Sequence, residues 1–266
     1  MHAFSYHKPT TLGDALSLAG KHGEGKVLAG GQSLVQAMKL RLASPTDLID
    51  LSGIKELSGI KADGSTVTIG AMTRHSEVEN NAEVKKMIPA LARLAGGIGD
   101  RQVRHMGTIG GSLANSDPAA CYPAAVLGLG AIITTNKRKI AADDFFKGLF
   151  ETALETGELI TAVTFPAAKR AGYIKFKNPA SRFALVGVFV ADTSSGVRVA
   201  VTGAASCVFR ATAIEKALAA KFDPDAVPAG TIKADTLNSD LHGSAEYRAH
   251  IVTVMAKRAV AQALGK

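Results

Sequence analysis

Two short glycine-rich stretches constrain this chain more than anything else in it: Ala29-Gly30-Gly31-Gln32-Ser33 and Thr108-Ile109-Gly110-Gly111-Ser112. Glycine has no Cβ, so it permits φ > 0 and lets another group lie directly against the main chain. Before the first stretch, residues 27–29 read as the end of a short buried strand; after it, residues 34–42 read as a helix. A strand that turns into a helix through Gly-Gly-polar-Ser points backbone N–H groups and the positive end of the helix at an anion. In the second stretch, Thr108 and Ser112 add hydroxyl donors at the rim. Asp117-Pro118 then reads as an N-cap followed by proline in the first turn, which predicts a helix over residues 119–130. Each stretch alone is equally well read as a structural turn. Two of the same type suit a diphosphate held from both sides. Neither fits the dinucleotide fingerprint G-x-G-x-x-G, and no Gly-Lys-Ser/Thr follows either one.

The remainder of the chain alternates helical and strand patterns. Residues 11–22 place Leu12, Ala15, Leu16 and Ala19 on one helical face, ended by Gly23-Glu24-Gly25. Residues 45–51 read as extended and close a small α/β unit at about residue 53. From there strands dominate: residues 57–62 and 66–70 form a hairpin about Asp63-Gly64. Helices are expected from residue 72 and over residues 89–96, then strands over residues 131–135, 139–141 and 159–166. After a boundary near residue 168, residues 172–176, 184–192 and 197–205 read as an antiparallel meander, followed by helices over residues 211–220 and 245–264. The fold class is therefore α+β: a two-part first domain (residues 1–53 and 54–168) and a C-terminal α+β domain (residues 169–266) with a three-stranded antiparallel sheet and helices.

Composition removes several function classes. A chain of 266 residues with 47% hydrophobic and 20% charged residues has the balance of a globular protein, not a disordered one. No apolar run approaches the ~20 residues of a membrane span, and no signal region opens the chain, so a cytoplasmic protein is expected. The net charge of +8 is spread among acids, with only 5% aromatic residues, which argues against nucleic acid as a partner. Cys121 and Cys207 are too few for a zinc or iron–sulfur site. Ser33 and Ser112 have no neighbouring histidine base, and no catalytic dyad, triad or metal set is visible. Difficult chemistry would belong to a cofactor.

The two glycine stretches, with Phe4-Ser5-Tyr6-His7-Lys8-Pro9-Thr10, Met38-Lys39-Leu40-Arg41-Leu42-Ala43-Ser44-Pro45, Ile69-Gly70-Ala71-Met72-Thr73 and Ser244-Ala245-Glu246-Tyr247-Arg248, resemble the flavin-carrying medium subunit of the molybdenum hydroxylases over essentially the whole chain. That family includes carbon monoxide dehydrogenase, the leading named member here, and the xanthine dehydrogenase group. The resemblance implies FAD as cofactor, with its pyrophosphate between the two loops. It implies electron transfer from 2Fe–2S centres to an external acceptor, with a small 2Fe–2S subunit and a large molybdopterin subunit as partners.

Carried over by position, the first loop contributes Leu28, Ala29, Gly30, Gly31, Gln32, Ser33 and Leu34, and the second Thr108, Ile109, Gly110, Gly111 and Ser112. Asn115 and Asp117 are polar neighbours, the latter equally an N-cap. Ile98 falls near the flavin or in the core, and Ile160 near the adenine end. Lys177 falls near the flavin or in solvent, and Phe183 against the isoalloxazine or in the core. Cys121 stands where relatives carry an aspartate that accepts a ribityl hydrogen bond; a thiol is a weak acceptor, so one hydrogen bond is weakened. Two other readings remain: a free-standing FAD oxidoreductase with the same two-loop clamp, and a non-enzymatic nucleotide-binding assembly module.

Overall fold

A computed structural model describes residues 1–21 and 25–266. The expected end of the first helix, at His22, Gly23 and Glu24, lies outside the described residues.

The chain opens as a small α/β unit. Strand β1 (Ser5–His7), helix α1 (Leu12–Lys21), β2 (Lys26–Leu28), α2 (Leu34–Lys39) and β3 (Asp47–Asp50) build a parallel sheet ordered β1-β3-β2. Ala15 of α1 packs with Ile49, Leu51, Ile54 and Leu57 in a core of its own. Helix α2 stops earlier than its sequence pattern suggests, because Arg41 takes a left-handed φ of 60° and turns the chain toward Pro45.

A five-stranded antiparallel sheet follows, ordered β4-β5-β10-β6-β7, from β4 (Ile60–Ala62), β5 (Thr66–Gly70), β6 (Ile132–Thr135), β7 (Lys139–Ala141) and β10 (Ile160–Pro166). A two-stranded ribbon, β8 (Phe146–Gly148) and β9 (Glu151–Thr152), precedes β10 after the single-turn α9 (Ala142–Phe145). Between β5 and β6 the chain runs through α3 (His75–Asn80), α4 (Ala82–Met87), α5 (Pro89–Gly96), α6 (Arg101–Met106), α7 (Ile109–Asn115) and α8 (Tyr122–Leu129). Helix α8 is buried on every side, as its unbroken apolar sequence requires. It joins α5 and the sheet in the largest core, with Tyr122, Phe145, Phe165 and Phe189 fully enclosed.

The C-terminal sheet is antiparallel, as the meander pattern anticipated: β11 (Arg170–Lys177), β12 (Ala184–Thr193) and β13 (Gly196–Thr202), extended by a two-residue fourth strand, β14 (Phe209–Arg210). Two residues carry too little alternation to be read as a strand. Helices α10 (Thr212–Ala220) and α11 (Ala245–Ala263) cover this sheet through Ile214, Leu218, Val252, Met255 and Ala259.

Two expectations are corrected. Gly110 and Gly111 do not lie in an open loop but in the first turn of α7. Asp117 does not cap α8: its carboxylate accepts the N–H of Ala119 at 2.8 Å, a local turn, and α8 begins only at Tyr122 without a side-chain cap. Glycine costs roughly 1 kcal/mol in a helix interior relative to alanine, so local preference argues against α7. Packing reverses that preference, because a Cβ on Gly110 would stand 2.6 Å from the Ala71 Cβ and 2.7 Å from its carbonyl oxygen.

Candidate functional site

The two glycine stretches meet. A Cβ on Gly30 would fall 2.1 Å from the Met106 carbonyl oxygen, and one on Gly111 would fall 3.2 Å from the Ala29 Cβ. The absence of side chains at these positions lets the parallel-sheet unit sit directly on α6 and α7. Where they meet, a cleft of about 640 Å³ opens, lined by Ala29, Gly30, Ser52, Ser58, Met72, Arg74, Ser76, Glu77, Asn80, His105, Met106 and Thr108.

The two walls differ in what they can offer an anion. In the second stretch the amides already have partners. Ile109 N–H donates to the Thr73 carbonyl (3.1 Å), Gly110 N–H to the Ala71 carbonyl (2.8 Å), and Ser112 N–H to the Thr108 carbonyl (3.0 Å). Gly111 N–H donates to the Thr108 hydroxyl oxygen, the N-cap of α7, at 3.2 Å. With His75 N–H on the Gly107 carbonyl (2.9 Å), these bonds stitch residues 71–75 to residues 107–110 as an irregular two-stranded contact. In the first stretch, among the described residues, the N–H groups of Gly30, Gly31, Gln32 and Ser33 donate to no protein acceptor, and the Ser33 hydroxyl makes no capping bond. Gly31 sits at φ 70°, which glycine adopts without strain. The clamp is therefore one-sided: open amides and a hydroxyl on the α2 wall, a smooth glycine surface on the α7 wall.

Charge is mixed around the cleft. Arg74 supplies a cation at the rim, while the Glu77 carboxylate accepts the Arg74 backbone N–H at 2.8 Å. Beneath Gly107 lies His75, buried, with Nδ1 lacking a hydrogen-bond partner and its ring 5.2 Å from that of Tyr122. Burial, reinforced by the Arg104 guanidinium, pushes the His75 pKa down to about 4, so the imidazole is neutral near pH 7.

Of the residues singled out from sequence, Ala29, Gly30 and Thr108 line the cleft, with Leu28, Gly31, Gln32, Ser33 and Leu34 continuing the first wall and Ile109, Gly110, Gly111 and Ser112 backing the second. The others lie elsewhere. Asn115 ends α7, and Asp117 makes its turn just beyond. Cys121 is buried, its Sγ accepting a hydrogen bond from the Lys175 Nζ at 3.3 Å. Ile98 is half-buried against the main core, its carbonyl accepting from Arg104 at 3.1 Å, and Ile160 is buried at the bulged start of β10. Lys177 and Phe183 are exposed at the end of β11 and in the turn that follows. That turn is nevertheless close to Asp117 and Cys121: Ala184 N–H donates to the Ala119 carbonyl at 3.3 Å. Ser52, Ser58, Arg74, Ser76 and Asn80 escaped sequence reasoning. Arg74 and Ser76 directly follow the 69–73 motif, a local hint, but the pairing that brings them to the cleft is non-local.

The donor set fits a phosphate-bearing cofactor: unpaired amides at glycine, free hydroxyls and a nearby guanidinium, in a cleft of dinucleotide size. Comparison with known proteins agrees. Residues 2–168 match the family described as the FAD binding domain in molybdopterin dehydrogenase, and residues 171–263 match the CO dehydrogenase flavoprotein C-terminal domain. The chain is 37% identical to the carbon monoxide dehydrogenase medium chain of Hydrogenophaga pseudoflava, over 97% of this chain and 96% of that one. It is 34% identical to the nicotine 6-hydroxylase medium subunit of Paenarthrobacter nicotinovorans, over 98% of this chain and 97% of that one. Among solved structures, carbon monoxide dehydrogenase from Hydrogenophaga pseudoflava superposes with a TM-score of 0.90 at 38% identity, covering 99% of this chain and 98% of that one. Neither a free-standing FAD oxidoreductase nor a flavin-free assembly module is favoured by these matches.

Proposed function

The chain belongs to the FAD-binding medium subunits of the molybdenum hydroxylases, and from that premise we propose that the first glycine wall grips the pyrophosphate of FAD while the second supports it without donating amides. The observation that supports this reading is the row of N–H groups at Gly30, Gly31, Gln32 and Ser33 that, among the described residues, have no protein acceptor, beginning at Gly30 in the cleft wall. Leu28, Ala29 and Leu34 hold that wall, and Arg74 offsets the diphosphate charge. Thr108, Ile109, Gly110, Gly111 and Ser112 form the opposing surface.

Helix α7 has seven residues, so it carries the chain about 10 Å from the cleft toward Asn115, Asp117 and Cys121. We place the flavin end there, with Phe183 and Lys177 beside it, Ile98 near the ring and Ile160 toward the adenine. Bound FAD supplies reversible electron storage; this chain supplies its position and keeps the diphosphate on the main chain. In this reading, residues 1–168 form the FAD domain and residues 169–266 a second domain that closes over the flavin end.

The same reading makes the chain one part of a cytoplasmic three-subunit enzyme. A small subunit with 2Fe–2S centres would deliver electrons from a large molybdopterin subunit, and an external acceptor would remove them. Relatives of similar identity are named for carbon monoxide and for nicotine. That pattern supports placing substrate choice in the large subunit, with carbon monoxide dehydrogenase as the leading candidate. Titrating flavin-stripped protein with FAD while following flavin fluorescence tests the proposal: saturation at one FAD per chain supports it, and no quenching at high protein concentration overturns it.

A further inference from the structure

Cys121 and Tyr173 are buried members of the main core, and the Lys175 side chain reaches the thiol there. The Lys175 Nζ lies 3.3 Å from the Cys121 Sγ, and it is held there by a second hydrogen bond to the Arg182 carbonyl at 2.9 Å. Arg182 itself is in the left-handed region at φ 62°, so that carbonyl is aimed by a constrained turn. Cys121 is 5% exposed and stands in helical conformation at the start of α8, which limits the reach of its side chain. The Tyr173 hydroxyl is buried beside the thiol, where the group it interacts with is the Cys121 sulfur, a weak acceptor.

We propose that Cys121 and Lys175 are an oxidative crosslinking pair, joined through a single oxygen atom between Sγ and Nζ. The oxidant is dioxygen. The S–H bond and two N–H bonds break, S–O and O–N bonds form, and sulfur and nitrogen each lose two electrons. Those four electrons reduce one dioxygen molecule; one oxygen atom stays in the bridge and the other leaves as water. Starting from thiol and ammonium, the products are the bridged pair, one water and one proton released to solvent. The bridging oxygen gives the Tyr173 hydroxyl a stronger acceptor than sulfur. The bridge would fasten the start of α8 to β11 and fix the turn that carries Phe183, and it would remove the lysine charge. Cys207 is the internal control. It is half-buried, with its thiol pKa raised by burial, and no lysine is recorded against it among the described residues. The inference does not depend on FAD binding.

Peptide mass spectrometry on the full chain, purified in air and in parallel under anaerobic reducing conditions, tests it. The air-exposed protein should yield the Cys121 peptide joined to the Lys175 peptide, heavier by about 14 Da than the two free peptides combined, and dithiothreitol should release it. Lys175→Arg, which keeps the charge, and Cys121→Ser should each abolish the joined species while Cys207 still alkylates; a thermal melt confirms that both variants fold. Free alkylation of Cys121 in the air-exposed protein would overturn the proposal. So would a joined pair without the added oxygen, or oxidation of Cys121 to the same extent in wild type and Lys175→Arg with Lys175 unmodified.

Discussion

At Gly30 an added Cβ would press on the Met106 carbonyl oxygen, which is backbone and cannot step aside. Gly30→Ala is therefore expected to destabilise even the flavin-free protein, by about 1–3 kcal/mol, read as a lower thermal midpoint. Ser33 is the opposite case. Its hydroxyl makes no capping bond, so Ser33→Ala should leave the flavin-free melt unchanged. It should weaken FAD by roughly ten- to a hundredfold in a fluorescence titration, the loss of one hydrogen bond to a charged group. His75 sets a pH limit. Its folded pKa of about 4 lies below the ordinary 6.5, so the unfolded chain binds the extra proton first as pH falls. Stability is complete above pH 6.5, declines between pH 6.5 and about 4, and levels off below. The decline from this group is on the order of 3 kcal/mol. Urea midpoints measured across that range should show a shallower decline in His75→Gln than in wild type.

Elements with strong periodicity or turn chemistry were legible from sequence. Helix α5 runs over the residues its pattern marks, and the β4–β5 hairpin turns at Asp63-Gly64. The meander β11–β12–β13 pairs in the expected order. Helices α6 and α7 were not legible. Asp100 caps the first through the Val103 N–H, and Thr108 caps the second, but each is short and α7 starts with a glycine pair that local preference sets against helix. What decides α7 is the contact of Gly110 with Ala71, 39 residues earlier in the chain, and no local window on the sequence contains it. Gly110→Val would accordingly damage the fold as well as the site. The C-terminal layer has its own non-local anchor. Arg248 of α11 is 3% exposed and donates to the carbonyls of Leu185 (2.8 Å) and Gly203 (3.0 Å) and to the Asp240 carboxylate (2.7 Å). Arg248→Met strips two buried carbonyls of their donor and is expected to cost about 3–5 kcal/mol, seen as a drop in the urea midpoint.

For the whole molecule, the family was legible because its motifs recur in order along the chain, while the division of labour within the site was not. From sequence the two glycine stretches look equivalent. In the structure one leaves its amides open, and the other has used them to bind residues 71–75. Hydrogen–deuterium exchange on the flavin-stripped and FAD-loaded protein separates these roles directly. The amides of Gly30, Gly31, Gln32 and Ser33 should exchange fast without FAD and become protected with it, while those of Ile109 and Gly110 should be protected in both states. Unchanged exchange at residues 30–33 on saturation with FAD would contradict the account.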